Sequence, residues 1–141
     1  MMEASWTADE RANVQRVQQL FAAFGRGDLA GVLGALADDV EWSLGGPADL
    51  PFAGLRRGRE AVVQFFAIFS QTVDVLAFEP KEFLAQDDTI VVLGTERLRF
   101  KATGREAENP WVMVFRFRAG RVVNYREHDD TAALVAAARR A

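Results

Sequence analysis

The sequence predicts an α+β domain, with helices gathered on one face of a curved antiparallel sheet. Three observations lead there. Apolar residues recur at helical spacing through most of the first 71 positions, interrupted by one early strand-like run. The second half holds long runs rich in Val, Phe and Tyr, separated by short turn signals. An Ala-rich helical segment closes the chain.

The elements follow in order. Thr7-Ala8-Asp9-Glu10 reads as a capping box, with Thr7 as N-cap and Glu10 three residues on. Val14, Val17, Leu20, Phe21 and Phe24 then form one apolar stripe, so a first helix runs from Ala8 to about Arg26. Gly27 suits its C-terminal cap and Asp28 the next N-cap. Leu29, Val32, Leu33 and Leu36 make a short second helix that Asp38-Asp39 ends, and Val40–Leu44 alternates like a strand. Gly45 to Gly58 holds two prolines and several glycines and reads as a long loop with a short strand near Phe52. Arg59 to Gln71 is a third helix, apolar around most of its circumference and so buried on more than one side. Val73 to Gln86 is a strand with Pro80 marking an edge or bend. Asp87-Asp88 turns into a long strand, Thr89 to Lys101, and Thr103-Gly104 turns that into a final hairpin. Asp130 caps the C-terminal helix.

The hairpin, Trp111 to Asp130, organises the rest. Ala119-Gly120 suits a two-residue primed turn, because Gly accepts positive φ. In that register Val114 faces Tyr125 and Val112 faces Glu127. Alternation then places Val112, Val114, Arg116, Tyr125, Glu127 and Asp129 on one face. Trp111, Met113, Phe115, Phe117 and His128 lie on the other, and a one-residue change at the turn swaps the second strand's faces. Arg97, facing Val112 from the adjoining strand, shares the Glu127 face at about 10 Å. The opposite face, Ile90, Val92, Leu98 and Phe100 with the hairpin aromatics, is strongly apolar. If helices cover the Arg97–Glu127 face, this apolar face calls for a homodimer through packed sheets. If they cover the apolar face, the charged face meets water and the chain is a monomer.

Composition excludes several classes. One domain, residues 1–141, suits the length. A net charge of −3 argues against nucleic-acid binding. The absence of Cys removes disulfide and thiolate chemistry, and one His makes a zinc or iron site improbable. No apolar run reaches the ~20 residues of a membrane span. The acidic start, MMEASWTADE, lacks a leader pattern, so a cytoplasmic protein is expected.

GDL after helix one, ADDVEW, PFAGLRRGREAVVQFF and FRFRAGRVVNYREHDDTAAL, in that order, resemble the SnoaL-like group of the nuclear transport factor 2-like superfamily. The resemblance implies a cone whose sheet curls around an interior pocket, commonly dimeric through the sheet's outer face. It spans isomerases, polyketide cyclases, epoxide hydrolases, dehydratases and non-enzymatic modules, so fold does not fix function. The ketosteroid isomerase positions match Leu20, Leu44 and Val112, all apolar, so that chemistry is not expected. The epoxide hydrolase positions match Trp42 and Leu44 for the water-holding pair, Arg97-Leu98-Arg99 for its Arg-x-Asp, and Glu127 for its second acid. The cyclases' acid near the chain end corresponds to Asp129 or Asp130.

The candidate site is therefore Glu127 as acid-base group, Arg97 orienting it, and Asp129 raising its basicity by like charge. The bland reading of Arg97 and Glu127 is a structural ion pair. Trp42, Phe66, Phe69, Val112, Val114 and Tyr125 would shape a pocket for a small hydrophobic molecule, though each aromatic equally suits plain core. Asp130 reads first as a cap, and His128 as a structural or interface residue facing away. No cofactor or metal is expected. Cofactor-free isomerase, cyclase or hydrolase chemistry competes closely with a non-catalytic ligand-binding or interaction module.

Overall fold

The computed structural model describes residues 5–139. Residues 1–4 of the acidic start and the last two residues of the chain lie outside that range. The elements are α1 (Ala8–Gly25), α2 (Leu29–Gly34), β1 (Leu36–Leu44), β2 (Gly54–Arg57), α3 (Arg59–Thr72), β3 (Val73–Gln86), β4 (Thr89–Phe100), β5 (Glu106–Arg118), β6 (Arg121–His128) and α4 (Thr131–Ala138). The six strands form one curved sheet in the order β2-β1-β6-β5-β4-β3, antiparallel except where β1 runs parallel to β6. Helices α1 and α3 pack inside the curve, which gives the mixed α+β architecture the sequence predicts.

Local chemistry sets the boundaries. The Thr7 hydroxyl accepts from the Glu10 N–H while the Glu10 carboxylate accepts from the Thr7 N–H, closing the capping box. Asp28 caps α2 through the Gly31 N–H and Asp130 caps α4 through the Ala133 N–H. The second helix is shorter than its apolar spacing suggests. Leu36 already belongs to β1, and Asp38 and Asp39 are exposed strand residues paired with Arg59 and Arg118. Val63 on α3 is 37 % exposed, so that helix leaves one side open.

The hairpin turn is Ala119-Gly120, with φ of 51° and 78° as a primed turn requires. The register beyond it differs from the simple alternation. Phe117 pairs with Val122 but Arg116 pairs with Asn124, so Val123 is an extra residue, a β-bulge in β6. Everything beyond the bulge shifts by one: Phe115 faces Tyr125, Met113 faces Glu127 and Val112 faces His128. Tyr125 and Glu127 therefore share a face with Trp111, Met113, Phe115 and Phe117, and that face is the core. This overturns the face assignment drawn from the sequence. The apolar set Ile90, Val92, Leu98 and Phe100 lies inside under the helices, and the expectation of a dimer through it loses its basis. Val112 and Val114 sit half-buried on the convex side with Arg126 and His128.

Strand β3, the open edge of the sheet, carries two further bulges, at Leu76 and Lys81, with Pro80 between them. Opposite Pro80, Gly94 makes room for the interior. A Cβ there would lie 2.5 Å from both the Glu79 carbonyl oxygen and the Trp111 ring. Gly94→Ala is therefore expected to destabilise the fold by about 1–3 kcal/mol through overpacking. Urea unfolding measures this, and wild-type stability would mean that Trp111 and β3 shift freely.

Candidate functional site

Among the described residues the fully buried interior holds few polar side chains, and most of them meet at one place. Glu96 on β4 and Asn109 on β5 are direct cross-strand partners. Glu96 is 6 % exposed, Asn109 0 % and Glu127 8 %. Strand alternation places each of them in an otherwise apolar row: Val92, Gly94, Glu96, Leu98 on β4 and Ala107, Asn109, Trp111 on β5.

Asn109 clips the cluster together. Its Nδ2 donates to Glu96 Oε2 at 2.7 Å and to Asp129 Oδ1 at 2.9 Å, and its Oδ1 accepts from the Asp130 N–H at 2.8 Å. The Tyr125 hydroxyl donates to Glu127 Oε1 in a short contact. Trp42 stacks on Tyr125 with centroids 3.9 Å apart. One oxygen each of Glu96, Glu127 and Asp129 all lie within 4.8 Å of one another. Such spacing is also within reach of a bridging cation, but two of these carboxylates already accept from the Asn109 amide.

Three carboxyls this close cannot all be ionised in an apolar interior. Burial and the Asp129 charge outweigh the Asn109 hydrogen bond at Glu96 and push it up to about 7. Burial, then the charge of Asp129, push Glu127 well above the usual carboxylate range. Burial and the same acids drive the Tyr125 phenol up as well. Glu127 therefore holds a proton far more tightly than a carboxyl in water, beside a Glu96 carboxyl poised between its two states near neutral pH.

A small interior space of about 50 Å³ reaches the cluster, and of its three acids only Glu96 and Glu127 line it. Its walls are aromatic: Trp42, Phe65, Phe66, Phe69, Phe115 and Tyr125 among them. The Trp42 indole N–H, buried in this wall, has no acceptor, and the Trp111 N–H is the other such atom among the described residues.

Of the residues singled out from the sequence, Glu127, Asp129, Tyr125, Trp42, Phe66 and Phe69 come together. Arg97 does not. It lies on the outer face, half exposed, with its Nε 3.2 Å from Glu108 and its Nη1 3.8 Å from Glu106. Arg97 pairs across the sheet with Glu108, whereas Val112 pairs with Leu93, so the Arg97–Val112 register does not occur. Val112 and Val114 also face away from the space, on the strand parity opposite Met113 and Phe115, and the bulge at Val123 takes Tyr125 and Glu127 off their face. His128 faces away from the space, as expected, but on the convex face opposite Val112 rather than beside Trp111, and Asp130 caps α4. Glu96 and Asn109 were missed. Their signal was available, since each is a polar residue on the inward parity of an apolar strand.

A pH dependence of stability follows. Glu96 and Glu127 are raised above their unfolded values, so the native state binds more protons than the unfolded chain. Their contribution is complete below about pH 4.5 and is lost as pH rises, for Glu96 through about 7. Glu96→Gln should remove on the order of 3 kcal/mol of the decline between pH 5 and 8. Denaturation midpoints across that range test this. An unchanged slope would show that Glu96 is ionised at no cost.

Comparison with known proteins completes the picture. The SnoaL-like domain model matches residues 17–125. An NTF2-like protein from Burkholderia xenovorans LB400 is 38 % identical, with 92 % of this chain and 98 % of that chain covered and a TM-score of 0.84. An NTF2-like protein of unknown function from Burkholderia pseudomallei K96243 is 34 % identical over the same shares, with a TM-score of 0.83. TerC, solved with polyporic acid, is 24 % identical over 90 % of this chain and 98 % of its own, TM-score 0.80, a likeness of fold alone. No curated protein matches. Sequence and fold together show that the chain belongs to the SnoaL-like domain family, with the NTF2-like architecture.

Proposed function

We propose that the chain is a cofactor-free acid-base catalyst acting on a small, uncharged hydrophobic molecule. The observation that carries this is the pair Glu96 and Glu127 at the end of an apolar space, with Asp129 within 4.8 Å of both. Arg97 has no part in it. Asn109 and Tyr125 take the orienting role.

The chemistry is proton transfer. Glu96, balanced near neutrality, takes a proton from a substrate carbon next to an oxygen function, and the C–H electron pair moves toward that oxygen. Glu127, holding a proton, passes it to the oxygen as charge develops there. The result is an enol and a cluster with its protons redistributed but conserved. Return of a proton to a different carbon completes an isomerisation, and attack of the enol carbon on a second carbonyl completes a cyclisation. Glu127→Gln and Glu96→Gln should each lower turnover by about 10²–10⁴-fold while leaving the melting temperature at or above wild type at pH 8. Full turnover in either variant excludes that residue as acid or base.

One observation favours the second reading, a non-catalytic ligand-binding module. The inner space, about 50 Å³, is far below the ~300–1,000 Å³ of pockets that enclose a drug-sized ligand. Absence of any turnover with a bound ligand would decide for it.

The homodimer is proposed on different ground from the sequence argument. The convex face bears Leu84, Val91, Leu93, Val112 and Val114 as adjacent cross-strand neighbours, half-buried and ringed by charge. Two copies packed through this patch would cover it. Light scattering is expected to give twice the 15.6 kDa chain mass, and Val112→Glu to halve it. A monomer at micromolar concentration removes the proposal.

A further inference from the structure

The aromatic wall of the inner space has a second, outer side. A second, open cleft of about 1,090 Å³ lies between α1, α2, α3 and β3. Phe21, Phe24, Phe66, Phe69 and Phe78 line both. Four of them are linked in edge and tilted contact: Phe78 meets Phe21 and Phe24 at 5.4 Å each, and Phe24 meets Phe66 at 6.2 Å. Beyond these phenylalanines the cleft wall is apolar and uncovered. Of the four large apolar residues exposed among the described residues, three, Val63, Val75 and Leu76, line this cleft, while Leu55 lies elsewhere. Leu76 is the bulged residue of β3, so the strand irregularity itself presents an apolar side chain there.

Resting on the acid-base reading, we infer that the substrate is an elongated, uncharged molecule whose apolar body lies in this outer cleft. Only a narrow, oxygen-bearing head passes between the shared phenylalanines to Glu96 and Glu127. Volume requires the division, because the space at the acids takes a few atoms and the cleft takes the rest. Charge selects the head. An anionic head would enter beside Glu96, Glu127 and Asp129 with no cation among the residues lining the space. The head carries an acceptor, because the unpaired Trp42 N–H and the proton on Glu127 are donors. A long-chain ketone fits these terms, and a fatty acid does not.

The test is binding of 2-hexanone, 2-octanone and 2-decanone, read by tryptophan fluorescence at pH 8, against hexanoate, octanoate and decanoate. Ketone affinity should rise about threefold to fourfold per added methylene. The matching acids should bind at least about tenfold more weakly. Leu76→Asp should flatten the dependence on chain length, and Leu55→Asp, outside the cleft, should preserve it. Both sites are exposed, so neither variant threatens folding. Equal affinity along the ketone series, acids binding as well as ketones, or an unchanged slope in Leu76→Asp each overturns the inference. The outcome is separable from catalysis. Glu127→Gln with full turnover and an intact slope sinks the acid-base assignment alone, whereas a flat slope with turnover lost in Glu127→Gln sinks the cleft alone.

Discussion

One extra residue in β6 decides what the interior contains. Were Val123 paired in the ladder, simple alternation from the Ala119-Gly120 turn would send Tyr125 and Glu127 to the convex side, level with Val114 and Val112. The bulge turns them inward, where the helices exclude water. A carboxyl in water is an ordinary acid. The same carboxyl under Trp42 and Phe115, with two more acids beside it, holds its proton far more tightly. The electrostatics of the site thus rest on a backbone irregularity rather than on any one side chain.

Burying three acids carries a cost, and the surrounding structure offsets it in specific ways. Asn109 uses both amide hydrogens on two of them and its carbonyl on the backbone N–H of Asp130. That third bond ties the end of β6 to the start of β5, and Asp130 in turn caps α4. The acids, the strand ends and the last helix therefore form one hydrogen-bonded unit. A buried polar cluster whose members are all partnered holds one geometry, which acid-base chemistry demands.

Access is organised by the opposite edge of the sheet. β3 has no neighbour beyond it, and its bulges at Leu76 and Lys81 bend it around the helices. Phe78, between those bulges, stacks on Trp111 and pairs across the strands with Glu96. The same strand thus supplies a wall of the outer cleft, a member of the phenylalanine cluster and the neighbour of one acid. A change at this edge is coupled to the site through packing alone.

Much of this was legible in the chain. The caps at Thr7, Asp28 and Asp130 are local hydrogen-bond chemistry, and each lies where the residues put it. Strand order in the second half, the edge at Pro80 and the turn at Ala119-Gly120 follow from turn chemistry within a few residues. Glu127, Asp129, Tyr125 and Trp42 were legible as types worth placing. The face they occupy was not. A period-2 pattern carries no mark of a bulge, since Val123 is as good a strand residue as its neighbours, and one residue reverses inside and outside. Simple alternation puts Arg97 and Glu127 on one face and Glu96 in the outer row, whereas the bulge and the Arg97–Glu108 register set Arg97 outside and Glu96 within. Local sequence determined the elements, because caps and turns depend on neighbours along the chain. Only the folded sheet, pairing residues far apart, decided which carboxyls share the dark interior and which meet water.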